Sequence, residues 1–153
     1  MADVALATLH AGSAEATHAL GRRLGRAARA GDVILLEGGL GAGKTVLVRG
    51  LAEGLGAAGE VISPTFVLVR QHVGRLELVH ADLYRLESAA EVEGLGLLDL
   101  SAAGVLAVEW PERWPALAEV ATAWLRLEAG ATRAERTVVV RSAVPHLAAA
   151  LRG

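Results

Sequence analysis

The sequence predicts an α/β fold whose central sheet mixes parallel and antiparallel strands between layers of helices. A short apolar run at 33–36 leads into a glycine-rich turn and a helical pattern, and an unbroken apolar run covers 105–108. Strands that are buried on both faces of a parallel sheet have this continuous apolar character. Two later runs, at 123–128 and 136–141, predict an antiparallel pair joined across the turn region at Gly130.

Length and composition predict one domain over residues 1–153. The chain has no cysteine, which excludes disulfides, cysteine–zinc sites and thiol catalysis. Its net charge of −2 provides no general basic field for binding nucleic acid. No secretory leader pattern is present, and no apolar run approaches the roughly 18 residues of a membrane span. We therefore expect a cytoplasmic protein that does not enter a membrane.

The elements before the glycine-rich turn are a strand over 4–9 and a long helix. Ser13 is the predicted N-cap of that helix, which runs to about Ala30 and is closed by Gly31. Its polar side carries Arg22, Arg23, Arg26 and Arg29. The arginine face is either a solvated helix surface, which is the favoured interpretation, or a docking surface for RNA or a partner.

The second half of the chain is predicted to alternate strands with short helices. Pro64 keeps Ser63 extended, and the runs at 67–72 and 76–80 flank Gly74 as an antiparallel hairpin. Ser88 is the predicted N-cap of a short helix over 89–95. A loop is predicted over 110–115, and a C-terminal helix over 145–151.

The glycine-rich turn has the spacing of a phosphate-binding P-loop. Four residues separate Gly38 from Gly43, and Lys44 and Thr45 follow at once. Glycines let the backbone N–H groups fold around a phosphate, and the following helix adds its positive dipole end. Lys44, the only lysine in the chain, would reach the β- and γ-phosphates, and the Thr45 hydroxyl would hold magnesium. The sequence therefore predicts a three-layer P-loop NTPase-type fold with a mixed parallel and antiparallel central sheet.

Two carboxylates at strand ends are candidates for hydrolytic chemistry. Glu109 ends the continuous apolar strand and is the stronger candidate for the magnesium-side acid. Asp82 ends an alternating strand and is the candidate for orienting or deprotonating water. The alternative for each is a capping or salt-bridged acid without a chemical role.

Four further side chains have open interpretations. Thr65 either supplies a hydroxyl to the γ-phosphate or magnesium, as a switch element does, or satisfies a backbone group after Pro64. For His80 the sequence favours a core histidine with one hydrogen bond over a catalytic one. Trp110 and Trp114 either stack on a base or a partner, or fill the rim of the core.

The motifs in series resemble those of one family. The series comprises Gly-Gly-Leu-Gly-Ala-Gly-Lys-Thr (38–45), Ser-Pro-Thr-Phe (63–66), His-Ala-Asp-Leu-Tyr-Arg-Leu (80–86) and Glu-Trp-Pro-Glu (109–112). In order and approximate spacing it resembles the small bacterial P-loop ATPases of the TsaE (YjeE) type, which act in making threonylcarbamoyladenosine in tRNA. One departure is Gly39, where the family usually has an acid.

The resemblance implies a protein that binds ATP or ADP with Mg²⁺, hydrolyses ATP weakly alone and works with TsaB- and TsaD-type proteins. Those partners carry out the threonylcarbamoyl transfer, so this chain would meet tRNA only indirectly. Thr65 takes a switch-like role, Asp82 is the acid of its motif and Glu109 the magnesium acid. Ser13 and Arg136 are placed in the adenine pocket by position alone. The implied phosphate and magnesium site comprises Gly41, Ala42, Gly43, Lys44, Thr45 and Val46.

Two other classes of function use the same loop. One is a small-molecule P-loop kinase, which would need an arginine-bearing lid that the short connections after the loop do not suggest. The other is a binding module in which bound nucleotide only sets the shape of a docking surface. Both rank below the ATPase.

Overall fold

A computed structural model of the chain describes residues 5–57 and 69–152. Thr65 and the rest of the Ser-Pro-Thr-Phe motif lie outside the described residues, as do the first two residues of the predicted hairpin. The strands are β1 (Ala5–Ala11), β2 (Val33–Glu37), β3 (Val69–His72), β4 (Leu78–Asp82), β5 (Val105–Glu109), β6 (Ala123–Ala129) and β7 (Arg136–Ser142). The helices are α1 (Ala14–Ala27), α2 (Lys44–Gly54), α3 (Ala89–Glu93), α4 (Leu97–Leu100) and α5 (Pro145–Arg152).

The strands form one seven-stranded sheet in the order β1-β7-β6-β2-β5-β4-β3. The four central strands β6, β2, β5 and β4 run parallel to their neighbours within this group. The outer pairs β1–β7, β6–β7 and β3–β4 are antiparallel. This arrangement confirms the predicted mixed sheet, and it places the C-terminal ends of β2, β4 and β5 at one edge.

Two apolar cores lie on opposite faces of the sheet. On one face, α1, α2 and α5 pack on inward side chains such as Ile34, Leu36 and Leu125. On the other face, α3, α4 and short 3₁₀ turns at 111–113 and 115–119 cover Leu35, Val108 and their neighbours. Strands with both faces buried explain why β2 and β5 have continuous apolar sequences.

Helices α1 and α2 cross in backbone contact because glycines line the crossing. A Cβ atom added at Gly21 would overlap the carbonyl oxygen of Leu47, and one added at Gly50 would overlap that of His18. A Cβ atom at Gly25 or Gly54 would likewise overlap a carbonyl oxygen of the other helix. The glycines thus let α2, which begins at the P-loop, lie directly against α1.

Helix α1 ends earlier than predicted. Ser13 is its N-cap as predicted, but the C-cap is Ala28, which is extended, and the helix does not reach Ala30. Its last carbonyl groups are satisfied by a distant side chain, because Nη2 of Arg75 donates to the carbonyl oxygens of Gly25 and Ala28 at 2.8 and 3.1 Å. The short helix α4 was not predicted. In the ranges that the structure describes, no helix is long and apolar enough to cross a membrane.

Candidate functional site

The glycine-rich turn connects β2 to α2 with three glycines in conformations that disfavour side chains. Gly38, Gly41 and Gly43 have φ values of 149°, 75° and 101°. A Cβ atom at Gly38 would also lie 2.8 Å from the carbonyl oxygen of Leu127. Gly43 is the N-cap of α2 and, having no side chain, provides no side-chain cap for the first N–H groups of the helix. This is the backbone arrangement that binds phosphate at a helix N-terminus.

Lys44 is buried although it is cationic, with only 5% of its surface exposed. Its Nζ donates to the carbonyl oxygen of Gly38 at 2.6 Å and lies 3.9 Å from the centre of the Trp110 ring. Burial lowers the pKa of Lys44, and the carboxylates of Glu109 and Asp82 oppose that shift. The ammonium group is therefore held inside the loop between a carbonyl oxygen and an aromatic face.

The two strand-end acids are direct neighbours across β4 and β5. Asp82 pairs in register with Glu109, so both side chains leave the same edge of the parallel sheet. Oδ1 of Asp82 accepts a hydrogen bond from the backbone N–H of Tyr84 at 2.9 Å. Burial raises the pKa of the Asp82 carboxyl, the hydrogen bond from Tyr84 lowers it, and the charge of Glu109 raises it. Glu109 is 3% exposed.

The loop and the two acids line one cleft of about 260 Å³. Its lining includes every residue predicted for the phosphate and magnesium roles within the described residues. The lining comprises Leu40, Gly41, Ala42, Gly43, Lys44, Thr45, Val46, Asp82, Glu109 and Trp110. The structure therefore brings together the ends of β4 and β5, the loop that follows β2 and the start of α2.

Trp110 has a backbone conformation that is rare for a large side chain. Its φ of 60° makes it the one residue other than glycine with positive φ in the described part of the chain. Pro111 follows it and disfavours the ordinary helical conformation at this position. The Trp110 ring packs 4.8 Å from that of Tyr84, at a 45° angle, as well as against Lys44. Such outliers cluster at functional sites.

Of the two residues predicted for the adenine pocket, Arg136 contacts the P-loop directly, whereas Ser13 caps α1. The guanidinium group of Arg136 donates from Nε to the carbonyl oxygen of Ala42 at 2.7 Å and from Nη2 to that of Gly41 at 3.0 Å. The Ser13 side chain instead caps α1 by accepting from the N–H of Ala16 at 3.1 Å. A small cavity of about 50 Å³ beside the loop is lined by Ala14, Thr17, Gly43, Val46, Ala134 and Arg136.

His80 is a buried core histidine with a hydrogen bond, as the sequence favoured, but the sequence did not identify its partner or the contact of Arg136 with the loop. Nε2 of His80 lies 2.6 Å from Oε2 of Glu109, in a fully buried pair. His80 precedes Asp82 by two residues, so strand alternation was a signal that both face the same side. The contact of Arg136 with the loop spans 94 residues of sequence, and no local pattern indicates it.

The oxygen atoms at the cleft fit magnesium with a bound nucleotide. Within the described residues, no group of three histidine, cysteine or acidic side chains could hold a metal ion without other ligands. Mg²⁺ is usually held by one or two carboxylates together with substrate phosphates and waters. The Thr45 hydroxyl and the Glu109 carboxylate provide a donor set of that kind, with the Asp82 carboxylate beside them in the cleft lining.

The fold and the loop define a P-loop NTPase-type α/β protein. A family model described as "Threonylcarbamoyl adenosine biosynthesis protein TsaE" matches residues 11–138, and the chain belongs to the TsaE family. The match extends beyond all four motifs of the sequence, from the end of β1 into β7.

Individual proteins of known name or structure agree with this assignment. The tRNA threonylcarbamoyladenosine biosynthesis protein TsaE of Nostoc sp. is 46% identical over 110 residues, covering 66% of this chain and 65% of that protein. The TsaE protein of Streptomyces coelicolor is 52% identical over 97 residues, covering 61% and 66%. The matched segments thus span about two thirds of these relatives. The crystal structure of Bacillus subtilis YdiB has a TM-score of 0.74 at 26% identity, covering 99% of this chain and 95% of that chain.

Proposed function

We propose that this chain is an ATP-binding, weakly ATP-hydrolysing component of the machinery that makes threonylcarbamoyladenosine in tRNA. The observation that carries the proposal is the single cleft in which Lys44 and Thr45 meet Asp82 and Glu109. The chain would act in the cytoplasm as one P-loop ATPase domain over residues 1–153. The names of its TsaE relatives support the pathway.

The P-loop would bind the phosphates of ATP or ADP. Gly43 gives the N–H groups at the start of α2 no side-chain cap, and Lys44 is already held by the carbonyl oxygen of Gly38 in the loop. We expect Nζ of Lys44 to exchange its hydrogen bond with Gly38 for oxygens of the β- and γ-phosphates. The exchange replaces a neutral acceptor by a charged one, and such charge-assisted hydrogen bonds are the stronger kind.

Thr45 and Glu109 would hold the magnesium ion that accompanies the nucleotide. Bound Mg²⁺ neutralises charge that develops on the transferring phosphate. The protein contributes a hydroxyl at the start of α2 and a carboxylate at the end of β5, both on elements that are packed in the core.

Asp82 would orient the attacking water and accept its proton. The water oxygen bonds to the γ-phosphorus, the bond to the ADP oxygen breaks, and inorganic phosphate and ADP are released. Burial raises the pKa of Asp82, which favours its role as a proton acceptor. Thr65 would add a hydroxyl from the Ser-Pro-Thr-Phe motif.

The base of the nucleotide would lie on the side of the loop formed by α1 and β7. The cavity lined by Thr17, Val46 and Arg136 adjoins Gly43 on that side, and the N-cap residue Ser13 immediately precedes that part of α1. Arg136 would contribute by holding the loop and by flanking the base.

The proposed partners are TsaB- and TsaD-type proteins, which would contact tRNA and perform the transfer. ATP hydrolysis by this chain would drive turnover of their complex. The test measures Mg²⁺-dependent phosphate release by the purified chain alone, then with both partners and tRNA. We expect a low rate alone, a changed rate in the complex, and modified tRNA only when all components are present.

Two results would contradict the proposal. If the chain neither hydrolyses ATP nor binds the two partner proteins in the presence of ATP, it is not the ATPase component of the tRNA-modification complex. Transfer of labelled phosphate to an added small acceptor, above the hydrolysis rate, would favour the kinase alternative. The variant Glu109→Gln serves as the control, because it should bind nucleotide but not turn over.

A further inference from the structure

One buried polar contact lies directly behind the candidate magnesium acid. His80 is in the middle of β4 with 0% of its side chain exposed, and the Glu109 side chain is 4% exposed. Nε2 of His80 and Oε2 of Glu109 are 2.6 Å apart, which is short even for a charge-assisted hydrogen bond. Glu109 lines the cleft, whereas His80 is not among the lining residues.

Strand register makes this contact possible. In the parallel pair β4–β5, His80 is opposite Ala107 and Asp82 is opposite Glu109. Side chains two residues apart on a strand share a face, so His80 and Glu109 face the same side as diagonal neighbours. Ala107, which is opposite His80 and two residues before Glu109, has only a methyl side chain on this face. The imidazole can therefore reach past Ala107 to the Glu109 carboxylate.

In the described parts of the chain, the hydrogen bonding of His80 is directed to Glu109 alone. A carboxylate only accepts hydrogen bonds, so Nε2 of His80 carries the proton and donates. Nδ1 of His80 is buried and has no hydrogen-bond partner among the residues that the structure describes. The contact with Glu109 is therefore the hydrogen bond that satisfies this buried imidazole within the described residues.

We propose that His80 is a positioning residue for Glu109. By binding Oε2, it restricts the rotamers of the Glu109 side chain and leaves Oε1 as the oxygen presented to the cation that accompanies the nucleotide. Carboxylates that bind metals are commonly oriented by such hydrogen bonds from behind, and loss of the partner typically weakens metal binding. The inference rests on the proposed function, because it assumes that Glu109 contacts that cation.

The test compares His80→Leu with His80→Gln by calorimetric titration of ADP, with Mg²⁺ and with a chelator. Leucine fills similar space but cannot donate, whereas the glutamine amide can place an N–H near the former Nε2. We expect His80→Leu to lower the affinity of the ADP complex for Mg²⁺ by about 10- to 100-fold. Mg²⁺ should therefore increase ADP binding less in this variant than in the unmutated chain. ADP affinity in chelator should stay unchanged, and His80→Gln should recover most of the loss.

His146→Leu is the matched control. His146 also donates from a ring nitrogen to a shielded carboxylate, since its Nε2 lies 2.8 Å from Oδ2 of Asp32. Asp32 immediately precedes β2 and is not among the residues that line the cleft. His146→Leu should lower thermal stability without changing the Mg²⁺ dependence.

A measurement on the unmutated chain keeps the inference testable even if His80→Leu does not fold. The Nε2 proton resonance of His80 should shift when Mg²⁺ is added to the ADP complex, and this shift should be absent in Glu109→Gln. An unchanged resonance, or equal Mg²⁺ dependence in His80→Leu and the unmutated chain, would overturn the positioning role alone. Absence of any Mg²⁺ effect on nucleotide binding by the unmutated chain would instead contradict the proposed function.

Discussion

Arg136 binds the P-loop through two backbone carbonyl groups, with Nε 2.7 Å from the oxygen of Ala42 and Nη2 3.0 Å from that of Gly41. Its Nη1 also donates to the carbonyl oxygens of Arg133 and Glu135, at 2.6 and 2.7 Å. The first residue of β7 thus holds the turn before β7 and the phosphate-binding loop together. The conformation of the loop therefore depends on the C-terminal hairpin as well as on its own glycines.

Arg136→Ala should weaken nucleotide binding by releasing the loop. Each hydrogen bond from a charged group contributes about 1.5 to 3 kcal/mol to stability. Part of this free energy stabilises the loop in the conformation that binds nucleotide. We expect a rise of about tenfold in the Kd for ADP, equivalent to about 1.4 kcal/mol. Amide hydrogen exchange at Gly41 and Ala42 should accelerate in the same variant.

The control is Arg133→Ala, which removes an exposed arginine from the same turn but leaves the carbonyl oxygen that Arg136 contacts. It should leave both the Kd and the exchange rates close to those of the unmutated chain. Equal losses in the two variants would mean that general charge, and not the contact with the loop, affects binding.

Lys44→Ala should remove tight nucleotide binding, while Thr45→Ala should chiefly weaken its magnesium dependence. Lys44 is the only lysine, and its Nζ already lies inside the loop, so no neighbouring ammonium can replace it. We expect a loss of about 10- to 100-fold for Lys44→Ala, corresponding to one or two charge-assisted hydrogen bonds. Calorimetric titration with and without Mg²⁺ measures both variants.

Lys44→Arg is the matched variant, because it keeps the charge but brings a planar group that fits a compact phosphate site poorly. It should bind nearly as weakly as Lys44→Ala. Unchanged affinity of Lys44→Ala would rule out the P-loop as the phosphate site.

Asp82→Asn should increase the stability of the nucleotide-free chain at neutral pH. Because the folded-state pKa of Asp82 is raised, the folded chain binds the proton more tightly than the unfolded chain. Its contribution to stability is therefore fully present below the usual aspartate pKa of about 3.9 and is lost as pH rises through the raised value. Asparagine does not ionise, so the variant does not lose stability as the pH rises. Its Oδ1 can still accept the hydrogen bond from the backbone N–H of Tyr84.

Urea unfolding of both proteins from about pH 4 to about pH 8 tests this sign. The stability difference in favour of Asp82→Asn should grow with pH and then level off, while ATP hydrolysis is lost. Asp99→Asn, which removes an exposed carboxyl on α4, is the comparison variant. A difference that stays constant with pH would contradict the prediction.

The sequence predicted the parts of the fold that local patterns encode. The continuous apolar sequences of β2 and β5 were sufficient to predict these two central strands. The spacing of the glycines was sufficient to predict the loop. The cap at Ser13 also follows from local chemistry, because its side chain bonds an N–H three residues away.

Contacts between distant segments were not predictable in the same way. The carbonyl groups at the end of α1 accept hydrogen bonds from Arg75, which lies 47 to 50 residues later in the sequence. Arg136 was assigned to the adenine pocket by position only, and the structure adds its contact with the loop. Pairing of His80 with Glu109 needs the β4–β5 register, which depends on the whole sheet.

Gly50→Ala should destabilise the chain, although alanine is the better helix former. In a free helix the change would be favourable by about 1 kcal/mol. Here the added Cβ atom would overlap the carbonyl oxygen of His18 and lie 2.9 Å from the N atom of Arg22, and these atoms belong to the hydrogen-bonded backbone of α1. Neither atom can move alone, so α1 and α2 must separate. Overpacking of this kind typically costs about 1 to 3 kcal/mol.

Thermal and urea unfolding of Gly50→Ala and Gly12→Ala separate the two effects. Gly12 precedes the cap of α1, and a Cβ atom there would meet no atom of the described residues within 4 Å, so Gly12→Ala should be nearly neutral. Because α1 begins beside the loop at Ala14 and Thr17, separation of the helices should also reduce ADP affinity in Gly50→Ala. If Gly50→Ala were as stable as the unmutated chain, backbone contact between the helices would not be what fixes α1 against the P-loop helix.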